Sequence, residues 1–231
     1  MAKILGIGNA LVDIMTSLQS DDLLGELNLP KGSMQLVDQN TIINALEKTR
    51  GLEQTLASGG SAANTINGLA NLGEETAFIG KVGNDEMGSF FKQDMVSNGI
   101  QPLLLKGKSS TGQALALVTP DSERTFAVHL GAAIEMVPED LSLILFSGKD
   151  YLHIEGYLVQ NHSLIETALK LAKEAKLKVS LDLASYNVVE ANREFLNRIV
   201  KEYVDIVFAN EEEAKAFTGK TPEESVEIIS N

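Results

Sequence analysis

The periodicity of this chain switches repeatedly between that of a strand and that of a helix, and few architectures satisfy such a pattern. Lys3–Asn9, Thr76–Val82, Asp150–Ile154, Lys178–Leu183 and Val204–Ala209 are short aliphatic or β-branched runs that predict strands. Between them, Gln39–Arg50, Ser61–Leu72, Asp85–Ser97, His162–Ala175, Val189–Glu202 and Glu211–Phe217 carry helical periodicity, with Gly73 and Gly99 as stops. Strands that alternate with helices predict an α/β domain with a mostly parallel sheet covered on both faces. One region breaks the alternation. Gln101–Lys106, Gly112–Thr119 and Thr125–Leu130 are predicted as consecutive strands, with Pro120-Asp121-Ser122-Glu123 turning between the last two. Antiparallel pairing there would make a small projecting sheet, a natural lid, to which about 10–17 and 31–38 would add. The expected organisation is a single domain over 1–231.

Composition narrows the function. The 231 residues include 19 Lys plus Arg against 32 Asp plus Glu, a net charge of -13, which opposes any role built on neutralising nucleic-acid phosphates. An anionic membrane is an equally poor partner. Cysteine is absent, which excludes disulfides and thiolate metal sites. His129, His153 and His162 have no two-histidine ligand spacing, and no Gly-x-Ser-x-Gly elbow follows a strand. The N-terminal apolar stretch is broken by Gly6 and Gly8 and has no cleavage-like site, so it predicts a strand start and no signal peptide. Leu141–Phe146, among the most apolar stretches, is far below the roughly 20 residues that span a bilayer. A cytoplasmic protein is expected.

Three clusters carry polar chemistry. In Gly8-Asn9-Ala10-Leu11-Val12-Asp13, extended chain puts Asn9, Leu11 and Asp13 on one face, and a carboxylate there could accept from vicinal hydroxyls or simply from backbone N–H groups. Leu11 occupies the third glycine position of a dinucleotide fingerprint and denies that reading. Ser58-Gly59-Gly60-Ser61-Ala62-Ala63-Asn64 sets two glycines before a helix of small residues, which suits close approach of a ligand to a helix N-terminus and equally suits tight packing on a sheet. Asn210-Glu211-Glu212-Glu213 follows a strand. Its carboxylates suit a hydrated Mg²⁺, whereas Asn210 with Glu213 three residues on is also a capping box. Thr221-Pro222-Glu223-Glu224 starts one more helix, which runs only to Asn231, and the expectation is that the protein continues.

Together with Gly80-x-Val82-Gly83-x-Asp85-x-x-Gly88, Thr111-Gly112, Leu130-Gly131-Ala132-Ala133, Gly156-Tyr157 and Asn210-x-x-Glu213, these residues resemble the ribokinase-like, or phosphofructokinase-B, family of carbohydrate and nucleoside kinases. Gly8-Asn9 and the stretch Tyr203–Glu211 with Thr218-Gly219 are most similar to the adenosine-kinase-like branch, and Ile66 departs from the family's usual small residue. The resemblance implies a three-layer ribokinase-like fold with a β lid and transfer of the ATP γ-phosphoryl group to a primary hydroxyl of a sugar or nucleoside. It implies sugar contacts from Asp13, Gly59, Gly60, Ser61 and Asn64 with Asn9 nearby, and Tyr157 facing base or sugar. Asn210 and Glu213 would order Mg²⁺ and phosphate waters, Glu213 meeting the metal through water.

The family's Asp-Thr-x-Gly-Ala-Gly-Asp pattern, which supplies the anion hole and the general base, does not occur in this sequence. The resemblance therefore places no catalytic base in this chain: the base is expected beyond Asn231, and the chain alone is expected to be inactive. A competing reading is a non-catalytic sugar- or nucleoside-binding module. The identity of the substrate, a monovalent-cation requirement, and the choice between a monomer and a homodimer formed through the lid are open at this level.

Overall fold

The computed structural model describes residues 1–230, with side chains through Ile229. From the N-terminus, β1 (Lys3–Ile7) and β2 (Leu11–Ser17) are followed by α1 (Asp22–Glu26), β3 (Met34–Leu36), α2 (Gln39–Lys48), β4 (Gln54–Gly59) and α3 (Ser61–Asn71). Next come β5 (Glu75–Val82), α4 (Glu86–Ser97), β6 (Gln101–Lys106), β7 (Gly112–Val118) and β8 (Arg124–His129). The last part holds α5 (Leu143–Phe146), β9 (Tyr151–Ile154), α6 (His162–Glu174), β10 (Lys178–Asp182), α7 (Tyr186–Ala191), α8 (Arg193–Tyr203), β11 (Ile206–Phe208), α9 (Glu211–Thr218) and α10 (Pro222–Ser230).

Two sheets result. The larger is parallel throughout, in the order β11-β10-β9-β1-β5-β6. The smaller is mixed, in the order β3-β8-β7-β2-β4. Each strand of the larger sheet presents alternate residues to opposite faces. Leu5, Ile7, Ala77, Ile79, Leu152, Ile154, Val179 and Leu181 meet α6 and α8 in one core. Phe78 points the other way, into a second core with Ile66 of α3 and Phe91 and Met95 of α4, which continues to Val12, Ile14, Leu115 and Leu117 of the smaller sheet. Gly6 allows α3 to lie this close, because a Cβ there would stand 2.4 Å from Ile66 Cγ1.

Three expectations are corrected. Gln101–Lys106 does not join the smaller sheet: it pairs in parallel with β5 at the edge of the larger one. Its place as third strand of the projecting group is taken by Gln54–Gly59, which pairs antiparallel with β2. Pro102 fits an edge strand, where one side of the backbone needs no donor. The single helix expected over Val189–Glu202 is two helices broken at Asn192, whose side-chain amide donates to the Val188 carbonyl (2.9 Å) and whose φ of -123° leaves the helical region. Among the described residues, no helix is long and apolar enough to cross a membrane.

Candidate functional site

The order of the larger sheet locates a crevice. From β1 the chain builds outward to β5 and β6, then returns to the other side of β1 to add β9, β10 and β11. The strand order therefore reverses between β1 and β9, and in open parallel sheets the carboxyl ends flanking such a reversal part to leave a binding crevice.

The residues at that point come from four elements. Asn9, two residues beyond β1, is buried, and its amide donates to Glu155 Oε1 at 2.5 Å while its backbone N–H donates to Oε2 at 3.3 Å. Glu155 directly follows β9 and is only 1% exposed; its Oε2 also accepts the backbone N–H of Ala62, at 3.2 Å, in the first turn of α3. Ser61 Oγ donates to Asp182 Oδ2 (3.1 Å) at the end of β10. Glycine is required on both sides of this knot. A Cβ on Gly8 would meet Glu155 Oε2 at 2.5 Å, and one on Gly60 would meet the Asn9 carbonyl oxygen at 2.2 Å. Gly60 also holds φ 101°, ψ 146°, a conformation closed to side-chain-bearing residues.

Asp13 lies on β2, half-buried, against Gly59, where a Cβ would fall 2.2 Å from its carboxyl carbon. Burial pushes the Asp13 carboxyl up to about 6. On the same face of the smaller sheet stand Met15, Met34, Leu36 and Phe126, the first three exposed, so the carboxyl borders an apolar platform. Asn64 is exposed in the first turn of α3, its backbone N–H donating to the Gly60 carbonyl. Tyr157 is half-buried; burial first, then the charges of Glu155, Asp182 and Glu213, raise its pKa, while a hydrogen bond with Ser185 opposes the shift.

Asn9, Asp13, Gly59, Gly60 and Ser61 are thus drawn together where the two sheets join, and the phenol of Tyr157 feels the charges of both Glu155 and Glu213. Asn210 and Glu213 form a complete capping box. Glu213 Oε2 accepts the Asn210 backbone N–H (3.0 Å), Oε1 accepts its amide (2.8 Å), and Asn210 Oδ1 accepts the Glu213 N–H (2.9 Å). Glu213 is only 6% exposed, and each of its oxygens keeps a lone pair that can accept from a water of a hydrated metal. Among the described residues, no group of three or more His, Asp or Glu is arranged to hold a metal directly.

Glu155 and Asp182 were absent from the candidates drawn from the sequence. The available signal was a carboxylate at the carboxyl end of each of two apolar runs, Tyr151–Ile154 and Lys178–Asp182. A separate groove of about 820 Å³ beside β11, lined by Val204, Ile206, Phe217, Val226 and Ile229 among others, contains none of these residues.

The sequence profile of the pfkB carbohydrate kinase family matches residues 30–231, and the chain belongs to that family. It is similar to the guanosine-inosine kinase of Escherichia coli (strain K12), at 26% identity over 95% of this chain and 54% of that enzyme. It is also similar to the adenosine kinase of Schizophyllum commune, at 26% identity over 93% of this chain and 64% of that enzyme. Among solved structures, the adenosine kinase from Sinorhizobium meliloti matches with a TM-score of 0.84 and 32% identity, over 99% of this chain and 71% of the other. The fold is accordingly ribokinase-like. The chain spans roughly half to two-thirds of the length of these two curated relatives.

Proposed function

We propose that this chain carries the acceptor-binding part of an ATP-dependent kinase that phosphorylates a primary hydroxyl of a nucleoside or a sugar. The observation that carries the reading is the half-buried Asp13 carboxyl packed on Gly59, beside the strand-order reversal and next to an apolar platform. A carboxylate can accept from two vicinal hydroxyls, and an apolar floor beside it suits a flat base or an uncharged sugar face. Two of the relatives are named for nucleosides, which favours adenosine-like acceptors over free ribose or fructose.

In this reading Asp13 accepts the sugar hydroxyls. Gly59, Gly60 and Ser61 let the ligand approach the start of α3, Asn64 adds an amide there, Asn9 lines the floor and Tyr157 borders the base or sugar. The smaller sheet closes over the acceptor as a lid. Asn210 and Glu213 order waters around Mg²⁺ and the nucleotide phosphates. When bound, MgATP supplies the phosphoryl group and neutralises charge on it. In this reading the protein works in the cytoplasm, as a monomer or as a homodimer through the lid.

The chain lacks the Gly-Ala-Gly-Asp pattern, so the base that takes the hydroxyl proton and the N–H groups that hold the transferring phosphate lie outside it. Binding and transfer are therefore separable, and the same experiment bears on the binding-module reading. Calorimetry at pH 8 should show adenosine binding to the parent chain, weakened at least about tenfold in Asp13→Ala. Incubation with ATP, Mg²⁺ and adenosine, ribose or fructose should give no phosphorylated product above background. Equal affinity in the two proteins removes Asp13 from the site, and robust turnover by this chain refutes the missing base.

A further inference from the structure

We propose that Glu155 is a positioning residue: its ionised carboxylate clamps the β1–β2 joint to the N-terminus of α3 and so holds the two walls of the crevice in register. The functional half of this inference rests on the crevice being the acceptor site; the structural half does not.

The geometry selects the ionised form. All three groups that reach the carboxylate are N–H donors: the Asn9 amide, the Asn9 backbone and the Ala62 backbone. A protonated acid would set its own O–H against these donors with no acceptor among them, so one contact must break or the Asn9 amide must turn over. These are also the contacts that join separately built walls. Asn9 lies in the three-residue passage from β1 of the larger sheet to β2 of the smaller, which carries Asp13. Ala62 belongs to the first turn of the helix whose preceding glycines face Asn9 and Asp13. Loss of the clamp frees the joint and the helix start together.

The charged and titratable groups that bear on Glu155 are Asp182 at the end of β10 and the phenol of Tyr157; both are acidic, and neither offers it a proton-bearing cation. Burial is the main reason that the carboxyl is pushed up to about 7, and Asp182 adds to it. The clamp thus changes state within the physiological range. If only the clamped form binds, apparent affinity follows its population, and between pH 6 and pH 8 the ionised fraction rises about tenfold. Asp13, at about 6, contributes about a further factor of two over the same span.

Two measurements on the parent chain and on Glu155→Gln test this. In a ¹⁵N NMR titration from pH 5.5 to 8.5, the Asn9 and Ala62 amides of the parent should move with one shared midpoint near 7, and that transition should vanish in Glu155→Gln. Separate midpoints, no movement, or the same transition in Glu155→Gln overturns the clamp. Should Glu155→Gln fail to fold, the shared midpoint in the parent decides alone. In calorimetry, adenosine affinity should rise roughly tenfold or more from pH 6 to pH 8 in the parent and about twofold in Glu155→Gln. Identical profiles overturn the positioning role. An intact NMR transition without any adenosine binding refutes the acceptor site and leaves the clamp standing.

Discussion

Gly60 joins β4 to α3 with its α-carbon facing the Asn9 carbonyl, and no other residue type meets both demands of that position. Gly60→Ala must accommodate a Cβ 2.2 Å from a backbone oxygen and a φ of 101°. We expect a loss of about 3 kcal/mol or more in urea denaturation, or failure to fold, whereas Gly68→Ala, which meets nothing within 4 Å in mid-helix, should be neutral or slightly stabilising. Equal midpoints for the two variants would refute the close approach. At this scale the sequence was informative where a residue type is restrictive in itself. The paired glycines marked a turn into a helix, and Asn9 with Asp13 marked polar groups on an apolar strand. Glu155 was not legible. A glutamate after a strand is ordinarily solvated, and its burial depends on β9 lying beside β1, about 150 residues away in the chain.

At the scale of elements, Asp85 shows how one side chain secures a connection. It caps α4 by accepting the Gly88 N–H (2.8 Å) and also takes the Thr111 N–H (2.7 Å) and hydroxyl (2.5 Å), so the start of α4 holds the passage from β6 to β7. Asp85→Ala should cost about 2 kcal/mol or more, above the ~1 kcal/mol of an ordinary cap, with faster amide exchange at both Gly88 and Thr111. Exchange altered at Gly88 alone would limit Asp85 to capping. Most helices and the larger sheet's strands were legible, because periodicity and caps are local. The destination of β6 was not: Gln101–Lys106 has the composition of either sheet, and only pairing with β5 assigns it. β4 was missed because Gln54–Ala57 is exposed and weakly patterned, and it becomes a strand by pairing with β2.

At the scale of the whole molecule, among the described residues two carboxyls are held above their ordinary values, Glu155 at about 7 and Asp13 at about 6. A raised acid stabilises the fold most below its unfolded pKa, and that contribution is lost as pH rises through the folded value. Stability should therefore decline from about pH 4 to pH 7, by about 3 kcal/mol for Glu155 and less for the more exposed Asp13. The opposite contributions of Asp121 and Glu135, both lowered to about 2, act below this window, whereas His153, lowered by burial, gains stability as pH rises towards the ordinary histidine range and offsets part of the decline. Denaturation of the parent and Glu155→Gln at pH 5 and pH 8 isolates the Glu155 contribution: the change in stability from pH 5 to pH 8 should be less favourable in the parent than in Glu155→Gln by roughly the Glu155 share. The same change from pH 5 to pH 8 in both proteins would exclude a buried, titrating Glu155. The ionised form that holds the joint is thus the form that costs stability, a common bargain at functional sites.

By itself the sequence determined the alternation of strand and helix, the glycine-bearing turns, the polar residues at strand ends and the family, since each rests on local backbone restrictions or on an ordered set of motifs. The tertiary structure alone decided which strands share a sheet, where the strand order reverses, and which carboxylates lose water. Those depend on pairings between residues far apart in the chain, and desolvation belongs to the packed surroundings, never to the residue type.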